Sequence, residues 1–485
     1  MVTVNLGALF SVTLPETILE IVSLLVLVVD LGLLRRSTQS VRMGWACLLG
    51  VVGCGVSTVW LGSHAGVVTS VGGLLAATPL VAAAQIGIVV LTALVLLLSI
   101  KAEFSRNPGE YVAVVLLATA GMMLVTAARD LLIIFVALEL LSLSLYVLTG
   151  FAKSSALSAE AALKYYLFGG MSAALMLFGF SYMYGLTGTT NLAGIAAALA
   201  TQGVSPLLVV ALVMVAAGLG FKVAAVPFQL WAPDTYQSAP APVAALIASG
   251  SKVASFAVLV ALTSGLASGA YSQTASWTVL LLCMAAGSIV LGNLAALVQT
   301  SVRRLLAYSA IAHAGYMLLG IAAHTDQSGA AVLYYVLTYA LTTVGAFGVI
   351  ALVERSTGSD RMDTFAGLSR RNPLLAGTML IFLLSLAGIP PLVGFWAKFN
   401  LFAAVLRAPA AGAWGLALVA IALGASAVSL YYYVQVLKRI YVVPGTSEEP
   451  IEVSALELSV LMLIALTVVA FGILPGLLSA WIPLG

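Results

Sequence analysis

Four lysines and one glutamate in this chain stand where hydrocarbon should surround them. Lys164, Lys222, Lys252 and Lys398 lie inside long apolar stretches, and Glu139 lies inside another, DLLIIFVALELLSLSLYVLTGF. A charge at the centre of a bilayer costs roughly 2.5–3.5 kcal/mol on insertion scales. Residues that bear this cost face water or each other, and commonly carry ions or protons. Lysine suits proton relay because burial in general lowers its pKa and a neighbouring carboxylate raises it again. Moving that carboxylate makes a lysine take up or release a proton. Carrying one proton against 100 mV requires about 2.3 kcal/mol, and a shift of two pKa units corresponds to about 2.7 kcal/mol. One ion-pair rearrangement therefore covers the cost of one pumping step.

The partner expected for Glu139 is Lys222. Lys252, in ASGSKVASF, is flanked by small residues that leave room for water or for close helix approach. Lys164 follows Glu160 by four residues, the spacing of a helix-surface ion pair. It has two readings, a modulator near the inner end of its helix or a lysine snorkelling to the interface. His313, in LLAYSAIAHAGYMLLG, is a candidate relay, with a core histidine bonded to a backbone carbonyl as the competing reading. Tyr308, Tyr316 and Tyr339, with Ser309, Thr338 and Thr342, serve either a polar axis or helix packing. His64 and His324 fall in connections and receive no role. No Walker A motif, no CxxC, no HExxH and no haem or iron–sulfur ligand set is present. Cys47, Cys54 and Cys283 lack metal-ligand spacing and are expected to be packing residues.

The elements that must hold these residues are membrane spans. Of 485 residues 62% are hydrophobic and 8% charged, with mean hydropathy +1.15, more apolar surface than a soluble protein of this size can bury. On a ruler of about 20 apolar residues per span, the all-α polytopic chain divides into about fourteen helices. They are expected near 12–34, 43–62, 78–100, 111–128, 131–151, 162–186, 206–228, 240–264, 275–299, 304–323, 329–354, 373–406, 412–437 and 455–481. The opening MVTVNLGALFSVTLPETILE has no basic segment and is expected to run into the first span rather than to be a cleaved signal. Loops after odd-numbered helices hold nearly all the basic residues: Arg35, Arg36 and Arg42; Lys101 and Arg106; Lys153; Arg303 and Arg304; Arg355, Arg361, Arg370 and Arg371; Lys438 and Arg439. Loops after even-numbered helices hold only Arg129 and Arg407. The positive-inside rule then puts both termini on the outer face.

Two spans are expected to be broken. In GLGFKVAAVPFQLWAPDTY, Pro227 follows Lys222; in SLAGIPPLVGFWAKF, Pro390 and Pro391 precede Lys398. Proline removes a backbone donor and clashes with the preceding turn, and membranes tolerate the gap where it lines a cavity. The breaks fall in helices 7 and 12. An offset of five helices reverses topology, the signature of an inverted repeat. The expected organisation is 1–110 for helices 1–3, 111–265 for a first five-helix repeat, 275–440 for a second, inverted one, and 441–485 for a loop and helix 14.

These stretches, with SAEAALKYYLFGG, GFKVAAVPFQLWAPDTYQSAPAPVAALIASGSKVASF, RRLLAYSAIAHAGYMLLG and PLLAGTMLIFLLSLAGIPPLVGFWAKFNLF, resemble the antiporter-like subunits of respiratory complex I, the bacterial NADH:quinone oxidoreductase, and most nearly their N type. The resemblance covers nearly the whole chain. It implies fourteen helices in two inverted repeats and a proton-translocating subunit of the bacterial inner membrane. It also implies roles: Glu139 and Lys222 as a helix 5–helix 7 pair, Lys252 as the central lysine of helix 8, His313 as an axial histidine and Lys398 as the group at the proton exit. NADH, FMN, iron–sulfur clusters and quinone would sit on partner subunits, with none on this chain. The implied partners are the M type and the small K, J and A types, with lipid and protons but no nucleic acid. One departure stands out: relatives commonly read PFHxWxPD, whereas this chain reads PFQLWAPD, with Gln229 in place of a titratable histidine. Two rival functions remain open at this stage, an Mrp-like cation/proton antiporter subunit and a structural spacer whose buried pairs only fix assembly.

Overall fold

A computed structural model describes residues 6–202, 205–267, 275–325, 327–408, 412–445 and 449–482. The chain is almost entirely helical. The first group of helices is α1 (Leu6–Val28, continued by a π turn to Leu33), α2 (Gln39–His64), α3 (Pro79–Ser99), α4 (Pro108–Ala127), α5 (Leu131–Thr149) and α6 (Ala156–Thr187). There follow α7 (Leu192–Gln202), α8 (Pro206–Val223), α9 (Trp231–Ser238), α10 (Ala241–Ala248), α11 (Gly250–Ala267), α12 (Ala275–Ala296), α13 (Val302–Ala322) and α14 (Ser328–Thr357). The last are α15 (Leu368–Arg371), α16 (Pro373–Ala387), α17 (Val393–Leu406), α18 (Gly412–Tyr441), α19 (Ala455–Ile473) and α20 (Gly476–Ser479). Thirteen segments among the described residues are long and apolar enough to cross a membrane, one of them α10 and α11 taken together; α16 and α17 are shorter apolar helices that fill the place of one more. This is a multi-pass membrane protein.

Local chemistry sets where these helices begin. Thr78, Ser155, Ser205, Ser301 and Asn372 each accept a backbone N–H of the first turn, and proline opens α3, α8 and α16, where its missing N–H costs nothing. Ser454 and Glu457 form a reciprocal capping box at α19. The centre of the bundle is α10–α11, α13 and α14: 94% of the apolar window of α13 is buried, against 22% for α18 at the periphery. Outward faces such as Leu163, Phe178, Leu294 and Leu466 are apolar and exposed, as a lipid-facing surface requires.

The chain leaves the helix twice near its prolines. Past Val223, Ala224 adopts a left-handed conformation (φ 59°) and the backbone stays irregular until α9. Past Ala387, Gly388 does the same (φ 88°) and α17 begins five residues later. A third interruption was not expected. Helix 8, read as a single span over 240–264, is divided at Ser249 into α10 and α11. No proline causes it; the Ser-Gly-Ser run at 249–251 is the type of small-residue pair at which helices kink. The last span is also shorter than expected, ending at Ile473 because Pro475 cannot continue it. Two further elements carry little sequence signal: a hairpin of β1 (Thr69–Val71) with β2 (Leu75–Ala77), and α7 in the connection between helices 6 and 7. Cys47 and Cys54 are buried, but Cys283 is exposed on α12, so it is not the packing residue expected.

Candidate functional site

Glu139 projects from the middle of α5 and Lys222 from the last turn of α8. Lys222 Nζ lies 3.8 Å from Glu139 Oε1, with side chains 6% and 25% exposed. That distance is an electrostatic contact rather than a hydrogen bond. The hydrogen bond of Lys222 goes instead to Ser142 Oγ, which donates onward to Leu138 O. Ser142 stands three residues after Glu139, on the same face of α5. The sequence reading passed over it, although the i, i+3 spacing was there to be read. Glu139 Oε1 is buried without a hydrogen-bond partner among the described residues, so the pair is held partly apart.

Lys252 lies in the first turn of α11, just past the Ser249 break. Its ammonium donates to Ala310 O of α13 (2.7 Å) and to Val223 O (3.3 Å), the carbonyl of the last residue of α8. Lys398, on α17, donates to Ala387 O (2.8 Å), the carbonyl of the last residue of α16, and to Ser426 Oγ (2.6 Å). Both lysines thus cap the C-terminal end of an interrupted helix, where unpaired carbonyls and the helix dipole favour a cation. Neither has a carboxylate within ion-pair distance among the described residues.

Between them sits His313. Its Nδ1 is 2.8 Å from Tyr335 OH and its Nε2 is 3.4 Å from Tyr433 OH. The histidine is therefore held by tyrosine hydroxyls on both nitrogens, not by a backbone carbonyl. Its ring contacts Tyr339 (centroids 4.9 Å) and Tyr316 (5.7 Å). Those same two rings lie 5.8 Å from Lys252 Nζ and 5.6 Å from Lys398 Nζ. Three rings, Tyr339, His313 and Tyr316, thus run between Lys252 and Lys398, with a lysine over the ring at each end of the row, as cation–π attraction favours. A void of about 10 Å³ lies against His313, Tyr339, Ser385 and Ala397, at the lower edge of the roughly 10–15 Å³ that one water needs.

The other candidates separate. Tyr316 bonds Asn293 and Ser309 bonds Tyr433, both within the polar centre, whereas Thr338 and Thr342 bond back to carbonyls of their own helix. Tyr335, Tyr433 and Ser426 were missed, because nothing in a single sequence separates a tyrosine or serine of the axis from one that only packs. Gln229 is buried, with Oε1 unpartnered among the described residues.

Lys164 does not belong to the buried row. Its side chain is 42% exposed and pairs with Glu160 (2.7 Å) and with Asp234 (2.9 Å) on α9. Arg304 reaches Asp234 from the other side at 2.6 Å, and Arg303 donates to Tyr236 O and Ala239 O while pairing with Glu354. Burial alone would raise the Asp234 pKa, but the bonds from Lys164 and Arg304 outweigh it and hold the carboxyl below its ordinary value. No cluster of metal-ligating side chains occurs among the described residues.

A polytopic helical bundle with lysines buried along its middle is the architecture of an ion-translocating membrane protein. Residues 128–424 match the family described as NADH:quinone oxidoreductase/Mrp antiporter, transmembrane, and the chain belongs to that family. A protein named NADH-quinone oxidoreductase subunit N 2 from Acidobacterium capsulatum is 47% identical, with 99% of each chain covered. Among solved structures, a chain of respiratory complex I from Thermus thermophilus is similar at 33% identity and TM-score 0.79, covering 96% of this chain and 98% of that one. A chain of the Mrp complex from Dietzia shares the fold at 21% identity and TM-score 0.82, with 97% and 96% covered.

Proposed function

We propose that this chain is a proton-translocating membrane-arm subunit of a NADH:quinone oxidoreductase, respiratory complex I. It has no redox centre of its own; NADH, FMN, iron–sulfur clusters and quinone belong to partner subunits. The observation that carries the reading is the buried row Lys222, Lys252, His313, Lys398, with Glu139 set against its first member. The full-length similarity to a protein named as subunit N of this oxidoreductase supports it.

Glu139 acts as the switch. When its charge is drawn toward Lys222, that lysine stays protonated; when it is withdrawn, the proton passes toward Lys252. His313, bonded on both nitrogens, relays to Lys398, from which the proton leaves on the outer side. Lys164 is a modulator that acts through Asp234 on α9, the segment beyond the first break. Protons enter from the inner, basic-loop side of a bacterial inner membrane, with both termini outside. The two interrupted spans belong to inverted five-helix units, about 111–265 and 275–440, flanked by 1–110 and 441–485. The neighbours in the arm are subunits of the M type and of the small K, J and A types.

The test is proton pumping by the assembled complex in vesicles after Glu139→Gln, Lys222→Met or Lys398→Met. Each is expected to cut the protons moved per NADH oxidised; unchanged stoichiometry in all three would sink the reading. The second reading, an Mrp-like cation/proton antiporter subunit, is favoured by the shared fold alone. Purification with flavin- and iron–sulfur-bearing chains supports the first reading. Na⁺-dependent transport without such chains would support the second.

A further inference from the structure

One cavity lined by described residues is separate from the buried row. It has a volume of about 500 Å³ and lies between α3, α11 and α14, beneath the β1–β2 hairpin and the start of α7. That is ample for an acyl chain and within the roughly 300–1,000 Å³ of ligand sites. Its floor and walls are mostly apolar, with Val81, Phe256, Val332 and Val336 among them, and Thr126, Asn191 and Ser264 add polar groups. At its rim stands Arg129, one of the two basic residues that break the loop pattern of the sequence.

Among the described residues the charge of Arg129 has no counter-charge. Its Nη1 donates to the backbone carbonyls of Thr126 and Ala128, and no carboxylate among the described residues lies within ion-pair distance. The neighbouring Asp130 is otherwise engaged, since it caps α5 through Leu132 N and accepts from Thr190 Oγ1. No Asp or Glu among the described residues lines the cavity. An arginine with free guanidinium donors above a largely apolar, chain-sized cleft is complementary to an anionic headgroup carrying an acyl tail. The cleft opens at the end of the bundle opposite the basic loops.

We propose that this cavity binds an anionic phospholipid of the outer leaflet, its phosphate on Arg129 and one acyl chain running between Phe256 and Val336. Phe256 lies one helical turn from Lys252 along α11, so the chain closes the approach from the outer surface to the middle of the buried row. The sealing role rests on the proposed function; lipid binding does not, and its test reads no proton movement.

The test is photo-crosslinking in the purified whole complex. It uses diazirine-tailed phosphatidylglycerol, the phosphatidylcholine analogue and a diazirine fatty acid, with peptide mapping of α11 and α14. Phosphatidylglycerol is expected to label these helices at least fivefold over phosphatidylcholine. Arg129→Gln should reduce that ratio to near one, and Arg129→Lys should keep most of it. Ala257→Phe, which fills the cavity without touching the arginine, should lower labelling by all three probes. Equal labelling by phosphatidylcholine, labelling unchanged in Arg129→Gln and Ala257→Phe, or a fatty acid that outcompetes phosphatidylglycerol would each overturn the proposal.

Discussion

The two interrupted spans hold their lysines in opposite ways. At the first, Lys222 sits in the last turn before the break, faces the Glu139 carboxylate and donates to Ser142. At the second, Lys398 sits beyond the break, reaches back to Ala387 O and meets no carboxylate among the described residues. The first is a charge pair that a movement of Glu139 can open. The second is a lone ammonium stabilised by the end of a helix, and only a change in the capping geometry or in the proton itself can release it. A relay needs both kinds: a group whose affinity for the proton is set from outside, and a group that lets the proton go.

The comparison is broken most sharply by truncating each lysine. Lys222→Met leaves Glu139 without its counter-charge. Removing one partner of a fully buried pair costs about 3–5 kcal/mol; because Glu139 is a quarter exposed, the expected cost here is about 2 kcal/mol. This should appear as a lower thermal midpoint for release of the chain from the complex. Lys398→Met removes an ammonium that leaves no orphaned acid, so its midpoint should stay within about 1 kcal/mol of wild type, although pumping fails in both. Equal destabilisation by the two would erase the distinction.

A second contrast uses the residues that turn the chain after each half-helix. A Cβ on Gly388, at φ +88°, would meet Lys398 Cδ at 2.9 Å and Nζ at 3.2 Å. Gly388→Ala should therefore push the ammonium off Ala387 O and slow pumping about fivefold, the equivalent of about 1 kcal/mol in the barrier. Ala224, at φ 59°, already carries its Cβ in the left-handed region, and Ala224→Gly should leave pumping unchanged while relieving about 1 kcal/mol of strain. Dye-quench rates on matched complexes decide between them.

Smaller effects sharpen the first site. Ser142→Ala removes the hydroxyl that accepts from Lys222, and a loss of about 1 kcal/mol should slow pumping roughly threefold to fivefold. Added to Glu139→Gln it should do little more, because both act on one pair. Least of all should change with Asp234→Asn. Its folded pKa lies below the ordinary 3.8, so the charge's contribution is complete above that value and lost only as pH falls through the lower folded one. The pH profile of pumping near neutrality should therefore be that of wild type; a displaced profile would mean that Asp234 titrates with the relay.

Much of the architecture was legible because hydrocarbon is an unforgiving solvent. Spans need length, loops need charge asymmetry, and a buried lysine stands out against either. Glu160 and Lys164 could be paired from their spacing alone, as could the broken character of segments rich in proline. The break at Ser249 was not legible, since serine and glycine are also ordinary packing residues in membrane helices. Of the tyrosines around His313, Tyr316 and Tyr339 were candidates, but Tyr335 and Tyr433 were not legible: Tyr433 comes from α18, about 120 residues away, and seventeen tyrosines offered themselves.

The sequence by itself determined that this is a multi-pass protein carrying a handful of costly intramembrane charges, and which residues bear them. The tertiary structure alone decided how each cost is met. One lysine faces a glutamate and bonds a serine beside it, two cap the ends of interrupted helices, and a fourth is turned out to a surface cluster on α9. The reason is physical: the desolvation of a charge depends on its residue and depth, both written along the chain, but its compensation depends on which carbonyls, hydroxyls and rings other helices bring within about 3–6 Å.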